Sequence, residues 1–255
     1  MSTVWIWGAG ELGGRVAAHA VAAGAEVIGL TRSKKRHKDL RRMGVTPRRG
    51  APDEMRAEDT LLMALPGSAT QLEAVQSLAD TPVPARAVLI GSTGFYGLQG
   101  GRLDVQTGPG DSARAQTAAA AEAAFSAWAG AAGVILRVGG LFRQGRGPLN
   151  AYKKRGHAPP GPGDKRLALL HYDDAATAAW AALTHPSPEA VYVGVIEPCP
   201  TRREFYLAAS VLLGLNLPSF GPEMGVPPAT YGIEGFRIDL LPEPAHPRWQ
   251  SALVP

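Results

Sequence analysis

Three glycines near the amino terminus constrain the fold of this chain more than any other feature of the sequence. Gly8, Gly10 and Gly13 form the turn G-A-G-E-L-G between an apolar segment, residues 4–7, and a helical pattern that ends at Gly24. The first glycine permits a tight turn, the second lets a diphosphate approach the backbone, and the third allows close contact between helix and sheet. Free amides and the positive end of the helix dipole then face the phosphates. This arrangement predicts the first strand, turn and helix of a Rossmann-type fold that binds a dinucleotide.

The end of the second predicted strand, residues 25–30, indicates which dinucleotide is preferred. Proteins that bind NAD carry an acidic residue there, which accepts hydrogen bonds from the ribose diol. This chain has Thr31, Arg32 and Ser33 instead. A guanidinium pairs well with a 2′-phosphate, and the two hydroxyls can donate hydrogen bonds to it. We therefore expect NADP, with NAD the less favoured cofactor. The residues expected to hold it from these two segments are Gly8, Gly10, Glu11, Leu12, Gly13, Thr31, Arg32 and Ser33.

Alternating strand and helix patterns continue along the chain and predict an α/β fold. Continuously apolar segments, typical of buried parallel strands, occur at residues 60–65, 87–90, 134–138 and 191–195. We expect a doubly wound parallel Rossmann sheet with a small C-terminal substrate lobe. The Rossmann domain is assigned to residues 1–142 and 167–196, and the lobe to residues 143–166 and 197–255.

Capping residues predict where several helices begin. Ser68 with Gln71 has the spacing of a capping box, and Thr201 with Glu204 has the same spacing. One of the adjacent aspartates at residues 173–174 is expected to cap the helix that runs to about residue 183.

Composition and charge narrow the class of protein. The chain has 255 residues with 45% hydrophobic and 19% charged residues, which is ordinary for a globular protein. Neither an export signal nor an uninterrupted apolar run long enough for a membrane span is recognised, so we expect a cytoplasmic protein without a membrane partner. The single cysteine, Cys199, excludes an internal disulfide and a cysteine-based metal cluster. The basic run at residues 32–42 has no interleaved aromatic residue for stacking on bases, so nucleic acid is not an expected partner.

Four segments together resemble the extended and atypical short-chain dehydrogenase/reductase superfamily, in particular its NAD(P)-dependent epimerase/dehydratase-like branch. They are GAGELGGRVA at residues 8–17, GSTGFYG at 91–97, ILRVGGLFRQGR at 135–146 and LHYDDAATA at 170–178. The resemblance implies that Leu65 and Pro66 lie beside the cofactor and that Ser92 contacts both cofactor and substrate as the catalytic hydroxyl.

The resemblance further implies that residues 138–142 pass the nicotinamide end of the cofactor and that Arg143 and Arg146 face the substrate lobe. His171 with the aspartates at residues 173–174 is expected to support the architecture of the site.

The usual acid/base pair of that family, a tyrosine followed four residues later by a lysine, is missing from the long helix. Thr117 and Ala121 stand in the corresponding places. An unassisted serine hydroxyl is a poor acid and base, so another residue must act if the protein is an enzyme. Tyr96 is the substitute we assign beside Ser92, with packing against the sheet as its alternative role. Further candidates are Tyr152, Lys153 and His157, which are otherwise loop surface.

Two functions remain open from the sequence. The first is an NADP-dependent oxidoreductase or epimerase-like enzyme that acts on a small molecule, since Ser92 and a substrate lobe are present. The second is a non-catalytic dinucleotide-binding sensor or scaffold, since the tyrosine and lysine are absent. Positive charge in the lobe, from Arg143, Arg146 and residues 153–155, is compatible with an anionic ligand. The long alanine-rich helix is compatible with a homodimer, and no metal site is expected.

Overall fold

The computed structural model describes residues 2–158 and 161–253. These residues contain eleven strands: β1 Thr3–Trp7, β2 Glu26–Thr31, β3 Thr46–Arg49, β4 Thr60–Met63, β5 Arg86–Ser92, β6 Arg102–Leu103, β7 Gly133–Val138, β8 Gly140–Phe142, β9 Leu169–His171, β10 Val191–Gly194 and β11 Thr230–Tyr231. The α-helices are α1 Glu11–Ala22, α2 His37–Arg42, α3 Ser68–Gln76, α4 Ala113–Ala129, α5 Pro148–Arg155, α6 Tyr172–Thr184 and α7 Arg202–Leu213.

Seven of the strands form one parallel sheet. Their order is β10-β7-β5-β4-β1-β2-β3. The chain moves outward from β1 through β2 to β3 and then returns to β4 on the other side of β1, where Trp5 lies opposite both Ile28 and Leu61. Ligands of open parallel sheets bind at such a reversal, beyond the carboxyl ends of the strands. The predicted Rossmann sheet is confirmed, and its order of strands predicts a ligand site beyond the ends of β1 and β4.

Side chains alternate between the two faces of the sheet and build a core on each. Ile6 and Leu62 pack in one buried cluster, whereas their neighbours Trp5 and Leu61 pack in the other. Helices α1 and α6 pack together on the first face, and α3 and α4 pack together on the second. Because both faces are covered, the strands are apolar on both sides, as the sequence indicated. None of the helices in the described part of the chain has the length and apolar content to cross a bilayer.

Two of the predicted helix caps differ from the observed ones. The Ser68–Gln71 capping box is wrong, since α3 begins at Ser68 after Gly67, and no side chain caps it. The Gln71 amide instead donates to the carbonyl oxygens of Leu65 and Ile90, at 2.9 and 2.8 Å, and so joins the ends of β4 and β5.

Helix α6 is capped by a histidine and not by either aspartate. The His171 ring accepts the backbone N–H of Asp173, and both aspartates fall within the first helical turn, where their charge favours the helix dipole. The Thr201–Glu204 capping box is confirmed.

The residues assigned to the C-terminal lobe form two packed groups. Helices α5 and α7 contact each other, with the Tyr152 and Tyr206 rings 5.3 Å apart in an edge-to-face arrangement. Strand β11 pairs with β6, and Phe236, which follows it, packs against Gly194 of the central sheet. The assigned domain boundaries stay a prediction. Their end points at residues 1 and 255, and the lobe residues 159–160 and 254, lie outside the described residues.

Candidate functional site

A cavity of about 800 Å³ opens at the carboxyl ends of β1, β2 and β4. We call it the glycine-turn cavity. Its lining residues are Trp7, Gly8, Ala9, Gly10, Leu30, Thr31, Arg32, Ser33, Arg36, Arg49, Gly50, Ala64, Leu65, Pro66, Thr70, Glu73 and Ala74. It therefore lies where the reversal of strand order predicts a ligand.

Each glycine of the turn has a distinct surrounding. Gly8 has φ +97°, and a Cβ there would come within 2.6 Å of the Ala64 carbonyl oxygen. A Cβ on Gly13 would come within 2.3 Å of the Gly8 carbonyl oxygen, so α1 can lie against β1 only without one. Gly10 is exposed, and its nearest neighbour to a Cβ is 3.8 Å away. The open side of Gly10 faces the cavity, and this space together with the uncapped start of α1 suits a diphosphate.

Three arginines surround the end of β2 in this cavity. They are Arg32, Arg36 and Arg49. Arg36 contacts the Ala9 carbonyl oxygen at 3.4 Å, and within the described residues no ion pair involves Arg32 or Arg49. The acidic lining residue Glu73 belongs to α3 and not to the strand end that reads the ribose in NAD-binding proteins. The positive charge around the end of β2 therefore exceeds what the sequence motif alone indicated.

A second cavity, of about 730 Å³, adjoins the first and shares Leu65 with it. We call it the Ser92 cavity. It is lined by Leu65, Gly67, Ser68, Ala69, Gln71, Ile90, Gly91, Ser92, Gly94, Arg114, Thr117, Ala118, Val138, Gly139, Gly140, Leu141, Arg146, Gly147 and Tyr172. The end of β5, the first turns of α4 and the segment after β7 thus meet around one space.

Ser92 caps the short 3₁₀ helix that follows β5. Its Oγ accepts the N–H of Gly94 at 3.0 Å, which leaves the hydroxyl proton for another acceptor. A Cβ on Gly94 would lie 3.2 Å from this Oγ and 3.6 Å from Nε of Arg114. Ser92 and Arg114 are therefore neighbours at the wall of the cavity.

Thr117 lines the Ser92 cavity, whereas Ala121 is buried in the helix packing. The Thr117 hydroxyl donates to the Ala113 carbonyl oxygen at 2.8 Å and keeps lone pairs for an acceptor role. No tyrosine and no lysine is found at these two positions of α4. The tyrosine among the residues that line this cavity is Tyr172, the first residue of α6.

Tyr96 lies outside both cavities and is only 1% exposed. Its hydroxyl donates to the Asp104 carbonyl oxygen at 2.7 Å and accepts a hydrogen bond from Arg137 at 3.0 Å. Burial raises the pKa of this phenol, and the Arg137 guanidinium opposes the rise. Arg137 is itself buried in an ion pair with Glu122 of α4. In this environment Tyr96 holds the segment after Ser92 in place.

The remaining substitutes from the sequence also lie away from the cavities. Tyr152 is buried against Tyr206, and its hydroxyl donates to the Asn216 carbonyl oxygen at 3.2 Å. Lys153 and His157 are exposed on and just after α5. None of these three side chains lines either cavity.

Glu11, which is predicted to contact the cofactor, is the centre of a charge network at the start of α1. Its carboxylate contacts Arg143 at 2.9 Å and Arg15 at 3.1 Å, and Arg15 also contacts Asp173. The hydrogen bond from Arg143 holds the pKa of Glu11 below its usual value, partial burial opposes this, and Arg15 adds to it. Arg143 is thereby tied to α1. Leu12, Gly13 and Glu11 line neither cavity.

His171, Asp173 and His246 bring ligand atoms within 4.8 Å of one another, as in some metal sites. The centres of the two imidazole rings lie 3.5 Å apart, and their planes are tilted by 31°. Asp173 is already paired with Arg15, and Nδ1 of His171 accepts a backbone N–H. Next to this cluster, the backbone N–H groups of Ala245 and His246 donate to the Asp174 carboxylate, so we assign the cluster to the docking of the C-terminal segment on α6.

No protein-family model and no curated protein sequence matches this chain. Similar solved structures include a conserved protein of unknown function from Silicibacter pomeroyi, with 20% identity, a TM-score of 0.77 and coverage of 99% of this chain and 97% of that one. The human epimerase family protein SDR39U1 (isoform 2) with NADPH is similar at 18% identity and a TM-score of 0.73, covering 100% and 98% of the two chains. This chain has their fold. MoeE5 in complex with UDP-glucose and NAD shares it too, at 18% identity, a TM-score of 0.74 and coverage of 99% and 96%. The resemblance to epimerase/dehydratase-like proteins is thus confirmed for the fold.

Sequence patterns identified the turn and the ends of β2 and β5 but missed several lining residues. Arg49 and Arg114 reach the cavities from segments that carry no motif of their own, and Tyr172 belongs to the segment 170–178, whose histidine and aspartates alone were singled out. Arg49 could have been found from its position at the end of β3, since parallel strands end at one edge.

Proposed function

We propose that this chain is an NADP-binding member of the epimerase/dehydratase-like branch of the short-chain dehydrogenase/reductases, and that it acts on a small molecule. The observation that carries the proposal is the pair of adjoining cavities. One holds the glycine turn and the arginines of the β2 end, the other holds Ser92, and Leu65 lines both. A nicotinamide dinucleotide that spans them would supply hydride transfer.

The residues of the Ser92 cavity would bind and orient the substrate. The Ser92 hydroxyl, whose oxygen accepts the Gly94 N–H, can donate its proton to a substrate oxygen. Gln71 holds the ends of β4 and β5 together and so keeps the Ser92 turn at a constant distance from Leu65. Tyr172 is the side chain in this cavity that could exchange a proton with substrate, in place of the missing tyrosine of α4.

The preference for NADP is supported by Arg32 and Arg49, whose guanidinium groups have no ion-pair partner within the described residues. Calorimetric titration should show tighter binding of NADPH than of NADH. Arg32→Gln should weaken NADPH binding by about tenfold or more, the effect of one charge-assisted hydrogen bond, and leave NADH unchanged. Arg41→Gln, at an exposed position of α2 outside the cavity, is the matched control. Tighter binding of NADH would refute the preference.

A second candidate function is a dinucleotide-binding sensor without catalysis. Thr117 and Ala121 occupy the positions of the acid/base pair on α4, and this observation favours it. Oxidation of NADPH can be followed by its absorbance with a panel of carbonyl compounds and nucleotide sugars. Turnover that depends on Ser92 supports the enzyme, whereas firm NADPH binding with no turnover on any member supports the sensor.

A further inference from the structure

The charged side chains that line the Ser92 cavity are all positive. Arg114 and Arg146 contribute guanidinium groups, and no aspartate or glutamate is among the described lining residues. Arg15, Arg137 and Arg143 each contact a carboxylate nearby. No ion pair in the described part of the chain involves Arg114 or Arg146. The two guanidinium groups of the cavity are thus left without a counter-charge by the protein itself.

Arg114 occupies a position that is unfavourable for the stability of α4. It lies in the first turn after the Ser112 cap, where no acidic residue is present. A cation at this end of a helix is repelled by the helix dipole. Its guanidinium is also a neighbour of Ser92, as shown by the short distances of both to a Cβ on Gly94. A negative group bound there would be attracted by Arg114 and by the helix end together.

Further positive charge lies behind Arg114. Lys165, which is partly buried, has a pKa lowered mainly by burial and further by the positive charges of Arg202 and Arg114. The adjacent carboxylate of Asp164 accepts the backbone N–H of Met224 at 2.9 Å. Arg114 is exposed, and an anion bound beside it would reduce the repulsion between these cations.

Arg146 completes the arrangement from the opposite segment of the chain. The guanidinium lies 5.7 Å from the centre of the Tyr172 ring, which lines the same cavity. Its backbone pairs with that of Arg143, whose side chain is tied to Glu11. The loop is therefore anchored at Arg143, while Arg146 is available to a ligand.

We infer that the Ser92 cavity binds an anionic group of the substrate, a phosphate or a carboxylate, between Arg114 and Arg146. This inference rests on the proposed function for the identity of the cavity as the substrate site. It names the substrate class as an anion, and it makes these two arginines the residues that determine specificity. The other basic residues predicted to serve an anionic ligand are engaged elsewhere, because Arg143 pairs with Glu11 and residues 153–155 are exposed on α5.

Calorimetric titration of the protein with inorganic phosphate and with malonate tests this inference. The protein is first saturated with NADPH, so that the glycine-turn cavity is closed to the probes. We expect at least one probe to bind, and Arg114→Gln and Arg146→Gln each to weaken that binding about tenfold. Arg41→Gln should bind the probe like the wild type. Preference for phosphate or for malonate identifies the kind of anion.

The outcomes separate this inference from the proposed function. The inference is overturned if neither probe binds to the NADPH-saturated protein, or if Arg114→Gln binds the probe as tightly as the wild type does. Either result leaves the cofactor proposal intact. If NADPH itself does not bind, the proposed function fails. In that case the protein without NADPH is titrated with phosphate and with malonate. Loss of probe binding in Arg114→Gln but not in Arg32→Gln then assigns the anion to the Ser92 cavity.

Discussion

The glycine-turn cavity and the Ser92 cavity differ in how the chain builds them. The first is lined by residues between 7 and 74, which belong to the consecutive strands β1 to β4, their turns and α3. The second is lined by segments as far apart in sequence as Ser92, Arg146 and Tyr172. A site built from consecutive elements depends on local turns such as the glycine turn, whereas a site built from distant segments depends on the contacts that hold those segments together. Substitutions should therefore affect the two cavities in different ways.

The largest expected effect concerns the ion pair beneath the Ser92 cavity. Glu122 and Arg137 are 7% exposed and 2.9 Å apart, and Glu122 borders Gly91 of the cavity wall. Glu122→Ala leaves the Arg137 charge buried without its partner, which costs about 3–5 kcal/mol of unfolding free energy. Urea unfolding measures this loss. Glu122→Gln, which keeps a hydrogen-bond acceptor, should cost less.

Glu73→Ala, at an exposed position of α3, is the control for this substitution and should stay close to the wild type. If Glu122→Ala and Glu73→Ala lower the free energy of unfolding by the same small amount, the buried pair does not support the wall of the Ser92 cavity. The Ser92 cavity would then depend on long-range contacts no more than the glycine-turn cavity does.

The next effect concerns the close approach of α1 and β1. A Cβ on Gly13 would meet the Gly8 carbonyl oxygen at 2.3 Å, whereas a Cβ on Gly14 would meet only the flexible end of Arg36, at 3.3 Å. Gly13→Ala should cost about 1–3 kcal/mol by overpacking and should also weaken NADPH binding. Gly14→Ala should be neutral or stabilising by up to about 1 kcal/mol, as usual within a helix. Equal stability of the two variants would contradict the geometry of the turn.

A substitution at Gly10 is expected to change stability less, and to weaken cofactor binding selectively. A Cβ there would contact nothing closer than 3.8 Å within the protein, but it would project beside the space assigned to the diphosphate. Gly10→Ala should leave the free energy of unfolding within about 0.5 kcal/mol of the wild type. NADPH binding should weaken strongly, as measured by calorimetry. Unchanged NADPH affinity would place the diphosphate elsewhere.

The Rossmann sheet and the glycine turn could be predicted because their signals are local. Continuous apolar segments and a turn that needs glycine both depend on residues adjacent in sequence. Gln71 illustrates the limit of such signals. Its spacing from Ser68 indicated a cap, yet the amide reaches the carbonyl oxygens of two strand ends, because these acceptors lie within 2.9 Å in the folded chain.

The Ser92 cavity could be predicted only in part for the same reason. Ser92 carries a motif, but Arg114, Thr117 and Tyr172 become its neighbours only when α4 and α6 pack against the sheet. Tyr96 was assigned from its nearness to Ser92 in sequence. Tyr96 is the last residue of the 3₁₀ helix that Ser92 caps, and its ring packs in a buried cluster beside Arg137.

The smallest expected effect is on the pH dependence of stability. We expect it at His171, which precedes Tyr172 of the Ser92 cavity in the sequence. Burial, together with the neighbouring His246, lowers the pKa of His171 from its ordinary value of 6.5, and Asp173, Asp174 and Arg15 also face this ring. In the window from 6.5 down to the lowered value, the unfolded chain binds more protons than the folded one. The stability present above pH 6.5 is therefore lost as the pH falls through that window.

Asparagine at position 171 can keep the cap on the Asp173 N–H without titrating. Urea unfolding at pH 7 and at a pH below 6.5 should thus show a smaller loss for His171→Asn than for the wild type, while His19→Asn, at an exposed position of α1, should behave like the wild type. If His171→Asn and the wild type lose stability equally, the pH sensitivity lies outside this cluster, and the histidine serves there only as a cap.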